Sequence, residues 1–275
     1  MVWFQKMHGL GNHFILFDET VEDFSFLRRK ENIRMLCDVS RGIGADGVGF
    51  VQKPLSRANQ CKMRLFNSDG SEAEMCGNGI RCVAHHYRSH FLEHDPISIE
   101  TLGGVRKIFY QGCKTGICFY KVEMGKPSFD LEKTGELVQK KNAAPLSWNG
   151  ELYNPVYVNV GNPHAVIFLE EPIEHDTIVS LGAWLETHPN HPRRINIEFV
   201  ETISQNEVKV SVWERGCGMT QACGTGATAV FAAGIRNGKL KNPVVVHMPG
   251  GELSISLQVL LTGSYCPFLL LKRAA

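Results

Sequence analysis

The chain has 275 residues, 43% of them hydrophobic and 21% charged, which suits a folded protein with two cores better than one. Its 29 basic and 28 acidic residues leave a formal net charge of +1, and their even mixing argues against nucleic-acid or anionic-membrane partners. The opening MVWFQKMHGLGN lacks the layout of an export signal. The apolar tail 257–271 is broken by Gln258, Gly263, Ser264 and Pro267, so it reads as strands, and a cytoplasmic location with no membrane partner is expected.

In chain order, CKMRLF (61–66) alternates apolar and polar residues as a half-buried strand does. A polar loop then leads to Cys76-Gly77-Asn78-Gly79, after which Ile80, Cys82, Val83 and Ala84 open a helix. PISIETL, VRKIFYQ and GICFYKVEMG follow as short strands. The stretch 124–155, with Lys133, Gly135, Lys140, Lys141 and Pro145, reads as an irregular crossing. EVKVSVWE (207–214) is again a half-buried strand, and Cys223-Gly224-Thr225-Gly226 again opens a helix. That helix is apolar nearly all round through Ala227, Ala229, Val230, Ala232 and Ala233, as an enclosed helix is. VVVHM and ELSISLQVLL close the series as strands.

A shift of 147 residues lays 61–105 on 208–252 without a gap. Cys76 falls on Cys223, Asn67 on Glu214, and Gly103-Gly104 on Gly250-Gly251, and HGLGNHF (8–14) echoes NVGNPHAV (159–166). Two homologous halves are expected. The fold expectation is α/β (α+β), with two pseudo-symmetric halves, each a mostly antiparallel, barrel-like sheet wrapped around a central helix. The halves would be 1–125, with the last strand 264–275 added back, and 126–263.

Nine cysteines, at 37, 61, 76, 82, 113, 118, 217, 223 and 266, show neither small-domain disulfide spacing nor a zinc knuckle. Most read as buried small hydrophobes. Cys76 and Cys223 differ. A cysteine just before a helix faces unpaired backbone N–H groups and the positive end of the dipole, which favours thiolate. The same N–H groups can hold a carboxylate, and the glycines admit it closely. Two such loops suit inversion of a stereocentre: one thiolate removes an α-proton and the other thiol delivers one to the opposite face. No pyridoxal lysine motif, other cofactor or metal is called for.

KMHGLGNHF (6–14), GIGADG (42–47), MRLFNSDGSEAEMCGNGIRC (63–82), VGNPHAV (160–166), RINIEFV (194–200) and WERGCGMTQACGTGATA (213–229) together resemble the diaminopimelate epimerases, almost end to end. The resemblance implies an isomerase that interconverts LL- and meso-diaminopimelate for lysine and peptidoglycan-precursor synthesis without cofactor. It also implies a homodimer with the site in the cleft between halves. Cys76 and Cys223 match the acid/base pair, and His164 and Glu214 match catalytic neighbours. Asn12, Asn67, Gly77, Asn78, Asn162, Asn196, Glu214, Arg215, Gly224 and Thr225 match the groups that bind substrate. A racemase or epimerase of another amino acid with the same chemistry is the alternative.

Taken singly, Asn67 and Asn162 also read as turn residues, and His164 as a structural histidine. Histidines 85, 86, 90, 94, 175, 188 and 191 read as surface. Three positions depart from the family pattern. His13 replaces an aspartate beside Asn12, Gly47 a glutamine in some members, and Cys217 an alanine, with a small buried side chain expected there. The tail GSYCPFLLLKRAA matches poorly, so a dimer contact is not transferred to it.

Overall fold

The computed structural model describes residues 2–91, 94–130, 145–259 and 265–274, with side chains described up to residue 257. Its contacts divide the chain into two compact units, Met1–Glu123 with Leu270–Ala275, and Met124–Leu269.

In the first unit, β1 (Gln5–Gly9) and β2 (Asn12–Asp18) form a hairpin whose turn, Leu10-Gly11, takes positive φ at both residues. Helix α1 (Lys30–Cys37) crosses to β3 (Gly47–Gln52), which runs parallel to β2. Next come β4 (Cys61–Asn67), antiparallel to β3, and the short β5 (Glu72–Ala73) on its end. Helix α2 (Gly77–His90) leads to β6 (Ile97–Thr101), parallel to β4, and the antiparallel run closes with β7 (Gly104–Lys114) and β8 (Ile117–Glu123). Ile80, Val83 and Ala84 of α2 are fully buried, and the helix packs against β1, β2, β3, β4, β6 and β8. One helix can meet six strands only if the sheet curls round it.

The second unit begins with a small hairpin, β9 (Leu146–Trp148) and β10 (Glu151–Tyr153). Part of the expected irregular crossing is thus ordered, because Leu146 and Tyr153 bury against the core beside Ile167 and Ile178; 131–144 lie outside the described residues. Strands β11 (Val156–Asn159) and β12 (Pro163–Phe168) form a hairpin, and α3 (His175–Glu186) crosses to β13 (Asn196–Ser204), parallel to β12. Then follow β14 (Glu207–Glu214), antiparallel to β13, β15 (Gly218–Thr220) on its end, and α4 (Gly224–Arg236). Strand β16 (Val244–Met248) runs parallel to β14 and pairs antiparallel with β17 (Gly251–Val259), and the last strand is β18 (Tyr265–Ala274).

The run β1 to β7 and the run β11 to β17 therefore share one pairing scheme, each with a crossing helix and then a helix enclosed by its sheet. The duplication thus spans β1 to β7 and β11 to β17, with the β9–β10 hairpin outside it, and the fold is α+β as expected. Among the described residues no helix is long and apolar enough to cross a membrane.

The cysteines need one correction. Cys37, Cys61 and Cys82 are buried as expected, but Cys113 and Cys118 face each other across the β7–β8 hairpin, Cα atoms 4.0 Å apart, and form a disulfide. Cys217 is half-buried rather than enclosed. Two histidines expected at the surface are interior. His86 bonds Gln5 Oε1 and Asp18 Oδ2, and His191 bonds Tyr157 Oη and the Leu185 carbonyl.

Candidate active site

Each enclosed helix starts on a cysteine. Cys76 caps α2 in extended backbone (φ −139°, ψ 118°) and its Sγ accepts the Gly79 N–H at 3.4 Å. Cys223 caps α4 in the same way (φ −130°, ψ 112°), with the Gly226 N–H at 3.3 Å from Sγ. Side-chain capping by an atom that accepts from the third helical N–H is the ordinary N-cap device, here supplied by sulfur. Both sulfurs therefore sit where three helical N–H groups lack a carbonyl one turn back.

An amide lies beside each loop. Asn78 Nδ2 donates to Asn12 Oδ1 at 3.2 Å, and Asn162 Nδ2 donates to Thr225 Oγ1 at 3.3 Å. The two contacts are duplication counterparts, since Asn12 and Asn162 each stand two residues before the equivalent positions Phe14 and His164 on β2 and β12. Asp46 Oδ2 receives Asn12 Nδ2 at 3.0 Å and the His13 N–H at 2.6 Å, so Asp46 orders the segment that the His13 departure put in question. Gly47 has a plain reason: a Cβ there would stand 2.7 Å from the Phe66 carbonyl oxygen.

Around Cys223 the polar groups form a buried chain. Thr225 Oγ1 contacts Sγ at 3.3 Å, Asn162 bridges Thr225 to His164 Nε2 at 2.9 Å, and His164 Nδ1 meets Glu198 Oε1 at 2.7 Å. His164 and Glu198 are both 0% exposed. With its Nδ2 turned to Thr225, Asn162 presents Oδ1 to His164 Nε2, so the ring is held between that amide and the Glu198 carboxylate. Burial pushes the Cys223 thiol well above its ordinary range, and the Glu214 and Glu198 carboxylates add to the rise. The Thr225 hydroxyl and Gly226 N–H pull the other way and lose. The helix N-terminus alone predicts a thiolate; at Cys223 desolvation outweighs it.

The structure brings together Cys76, Gly77, Asn78 and Asn12 in one half, and Cys223, Gly224, Thr225, Asn162 and His164 in the other. Asn196 braces the turn after β14: its Nδ2 donates to the Pro163 carbonyl at 2.7 Å and its Oδ1 accepts the Arg215 N–H at 3.0 Å. Glu214 Oε1 accepts from Thr220 Oγ1 at 2.6 Å. Asn67 is held in a turn, donating Nδ2 to Ser71 Oγ at 3.0 Å.

Sequence reasoning missed Glu198, Asp46, Arg81 and Glu186. Glu186 fixes the Arg215-Gly216 turn by accepting from Gly216 N at 2.9 Å and Trp213 Nε1 at 2.7 Å. The signal for Glu198 was a lone charge inside the apolar run RINIEFV. Among the described residues no cluster of three or more His, Cys, Asp or Glu side chains is placed to hold a metal ion.

The family model for diaminopimelate epimerase matches residues 4–129 and 156–260. The chain is 43% identical over 272 residues to a diaminopimelate epimerase of Halothermothrix orenii, covering 94% of this chain and 93% of that one. It is 40% identical to one from Methanothermobacter thermautotrophicus, covering 94% and 91%. In fold it is similar to a hydroxyproline epimerase from Agrobacterium vitis, with TM-score 0.72 at 16% identity over 100% of this chain and 92% of that one. It is also similar to a probable proline racemase from Agrobacterium radiobacter, with TM-score 0.70 at 15% identity over 99% and 90%. The paired cysteine-capped helices thus sit in a matching sequence and a matching fold, and the chain belongs to the diaminopimelate epimerase family of isomerases.

Proposed function

We propose that the protein interconverts LL- and meso-2,6-diaminopimelate by a two-base reaction in which Cys76 and Cys223 act on opposite faces of one α-carbon. The observation that carries this reading is the repeated N-cap: two sulfurs, each accepting from the third helical N–H, at equivalent places in two copies of one fold. One sulfur as thiolate takes the α-proton, leaving the C–H electron pair on the carbon next to the carboxylate. The other, as thiol, gives its proton to the opposite face. Thiolate and thiol have exchanged places at the end, so the reverse reaction uses the same groups in swapped roles.

The N–H groups of Gly77-Asn78 and Gly224-Thr225 receive the carboxylate at the reacting carbon and stabilise the charge that builds there. Arg215 takes the distal carboxylate and Glu214 the distal ammonium, with Asn12, Asn67, Asn162 and Asn196 fixing orientation, by direct contact or by holding the loops. The family resemblance supports a cytoplasmic homodimer. Incubation with LL-diaminopimelate under reductant, followed by chiral chromatography, should yield the meso isomer. Inversion of single-carboxylate amino acids at a comparable rate, with none of diaminopimelate, would overturn the substrate assignment.

A further inference from the structure

Strand register allows the two halves to be matched position by position. Phe14 pairs with Gly47 and His164 with Asn196 across the parallel pairs; Gly49 faces Leu65 and Glu198 faces Val212 across the antiparallel pairs. Phe14 and Gly49 in the first half thus hold the places of His164 and Glu198 in the second. Arg81 holds the place of Thr228, by the 147-residue shift. The cysteine loops are alike, but the charges beneath them are not.

Arg81, five residues after Cys76 on α2, is 0% exposed. Its guanidinium donates to the Gly77 carbonyl at 2.6 Å and to Asn78 Oδ1 at 3.0 Å, both neutral, and Nε has no partner. Among the described residues it makes no ion pair; the nearest carboxylate along the bonded chain, Asp46, lies beyond Asn78 and Asn12. A buried cation without a counter-charge is costly. Of the two thiols beside it, Cys82 is held neutral by burial, which pushes it up to about 12, so a thiolate at Cys76 would supply the charge. In the second half Thr228, with its hydroxyl on the Gly224 carbonyl, supplies no such cation.

Cys223 has the opposite surroundings. Glu198 lies against the first turn of α4: a Cβ on Gly226 would stand 2.6 Å from Glu198 Oε1 and 3.3 Å from Cys223 Cβ. Its Oε1 meets His164 and its Oε2 has no partner. Glu214 from β14 adds a second carboxylate, and from β16 the neutral Met248 Sδ accepts the Cys223 N–H. His164, on β12, reaches the sulfur only through Asn162 and Thr225.

We propose that Arg81 and Glu198 are positioning residues of opposite sign that set the resting state of the pair, Cys76 as thiolate and Cys223 as thiol. This deepens the two-cysteine reading and rests on it for its catalytic meaning. The free protein is then loaded in one sense, with base on Cys76 and acid on Cys223. Turnover in the other sense must first move a proton from Cys223 to Cys76, or exchange both with water.

The test is iodoacetamide alkylation of the reduced, substrate-free protein from pH 5 to 10, with peptide mass mapping to give a pH midpoint for each cysteine. The midpoint decides, since the rate alone also reflects access. In the unsubstituted protein Cys76 should titrate below Cys223. R81M should raise the Cys76 midpoint alone while R81K leaves it near its starting value. E198Q should lower the Cys223 midpoint and raise its alkylation rate at pH 8 about tenfold. Equal or reversed midpoints in the unsubstituted protein would overturn the proposal whether or not the variants fold. So would folded R81M and E198Q proteins with unmoved midpoints. The readout needs no turnover: the predicted order without epimerisation would remove the proposed function alone, and active protein with the order reversed would remove this inference alone.

Discussion

Cys223 and Cys76 carry the same backbone geometry into different surroundings, and the chemistry expected of each side chain follows from that difference. In the proposed reaction each is one of two proton-transfer groups, so replacing either by alanine should lower kcat/KM for epimerisation by about 10³ or more. The double variant should be little worse than the worse single one, because the two act as a unit; a product of two independent losses would contradict that coupling. The pH profile adds a second check. Where Cys223 serves as the acid it must hold its proton, and burial holds that thiol well above the ordinary value of about 8.5. The alkaline limb of kcat/KM in that direction should therefore lie above the ordinary thiol range, with activity lost as pH rises through it. Thr225 lowers the Cys223 thiol, so Thr225→Val should move the limb to still higher pH. A limb that stays or moves down in the variant would remove Thr225 from this role.

At the scale of elements, α4 and α2 differ in what stands against their first turns. A Cβ on Gly226 would meet the buried Glu198 carboxylate at 2.6 Å, whereas one on Gly79 would meet the Leu65 methyl groups at 3.1 and 3.3 Å and Cys76 Cβ at an ordinary 3.6 Å. Leucine tips can shift; a carboxylate pinned to His164 cannot. Gly226→Ala should cost about 2 kcal/mol in urea unfolding and most of the activity, while Gly79→Ala costs well under half as much. Equal costs would mean Glu198 is not held as described. The same elements show what could be read in advance. Period-two alternation and the two Cys-Gly-x-Gly loops revealed β4, β6 to β8, β14, β16, β17, both enclosed helices and the cysteine caps, but not α1, α3 or the strands β1 to β3 and β11 to β13. Glu198 was hidden because alternation sends every second side chain to solvent, yet β13 is covered by α3 on one face and α4 on the other. Every residue from Ile195 to Val200 is buried in consequence. Arg81 was hidden for the related reason that α2 is buried all round from Gly77 to Ala84, where its sheet wraps it.

For the whole molecule, burial of several thiols ties stability to pH. Burial pushes Cys61 and Cys82 up to about 12, with Asp18 and Glu100 adding to the rise at Cys61. In the unfolded chain both ionise near 8.5, so the unfolded state loses protons first and stability falls as pH rises from there towards 12. The slope is about 1.4 kcal/mol per pH unit for each such cysteine inside that window. Urea midpoints measured between pH 8 and 11 should fall steadily, and more shallowly in a C61A/C82A variant. Parallel slopes would show that other groups carry the effect.

Hydrogen isotopes test the opposed-thiol reaction most directly. LL-diaminopimelate is turned over in heavy water, stopped while most substrate remains, and both isomers are analysed by mass spectrometry. Two distinct groups on two faces predict one deuterium on the inverted carbon of the meso product and protium still in the unreacted LL isomer. A meso product that keeps the substrate's own proton, or deuterium entering the LL isomer as fast as the product forms, would contradict it.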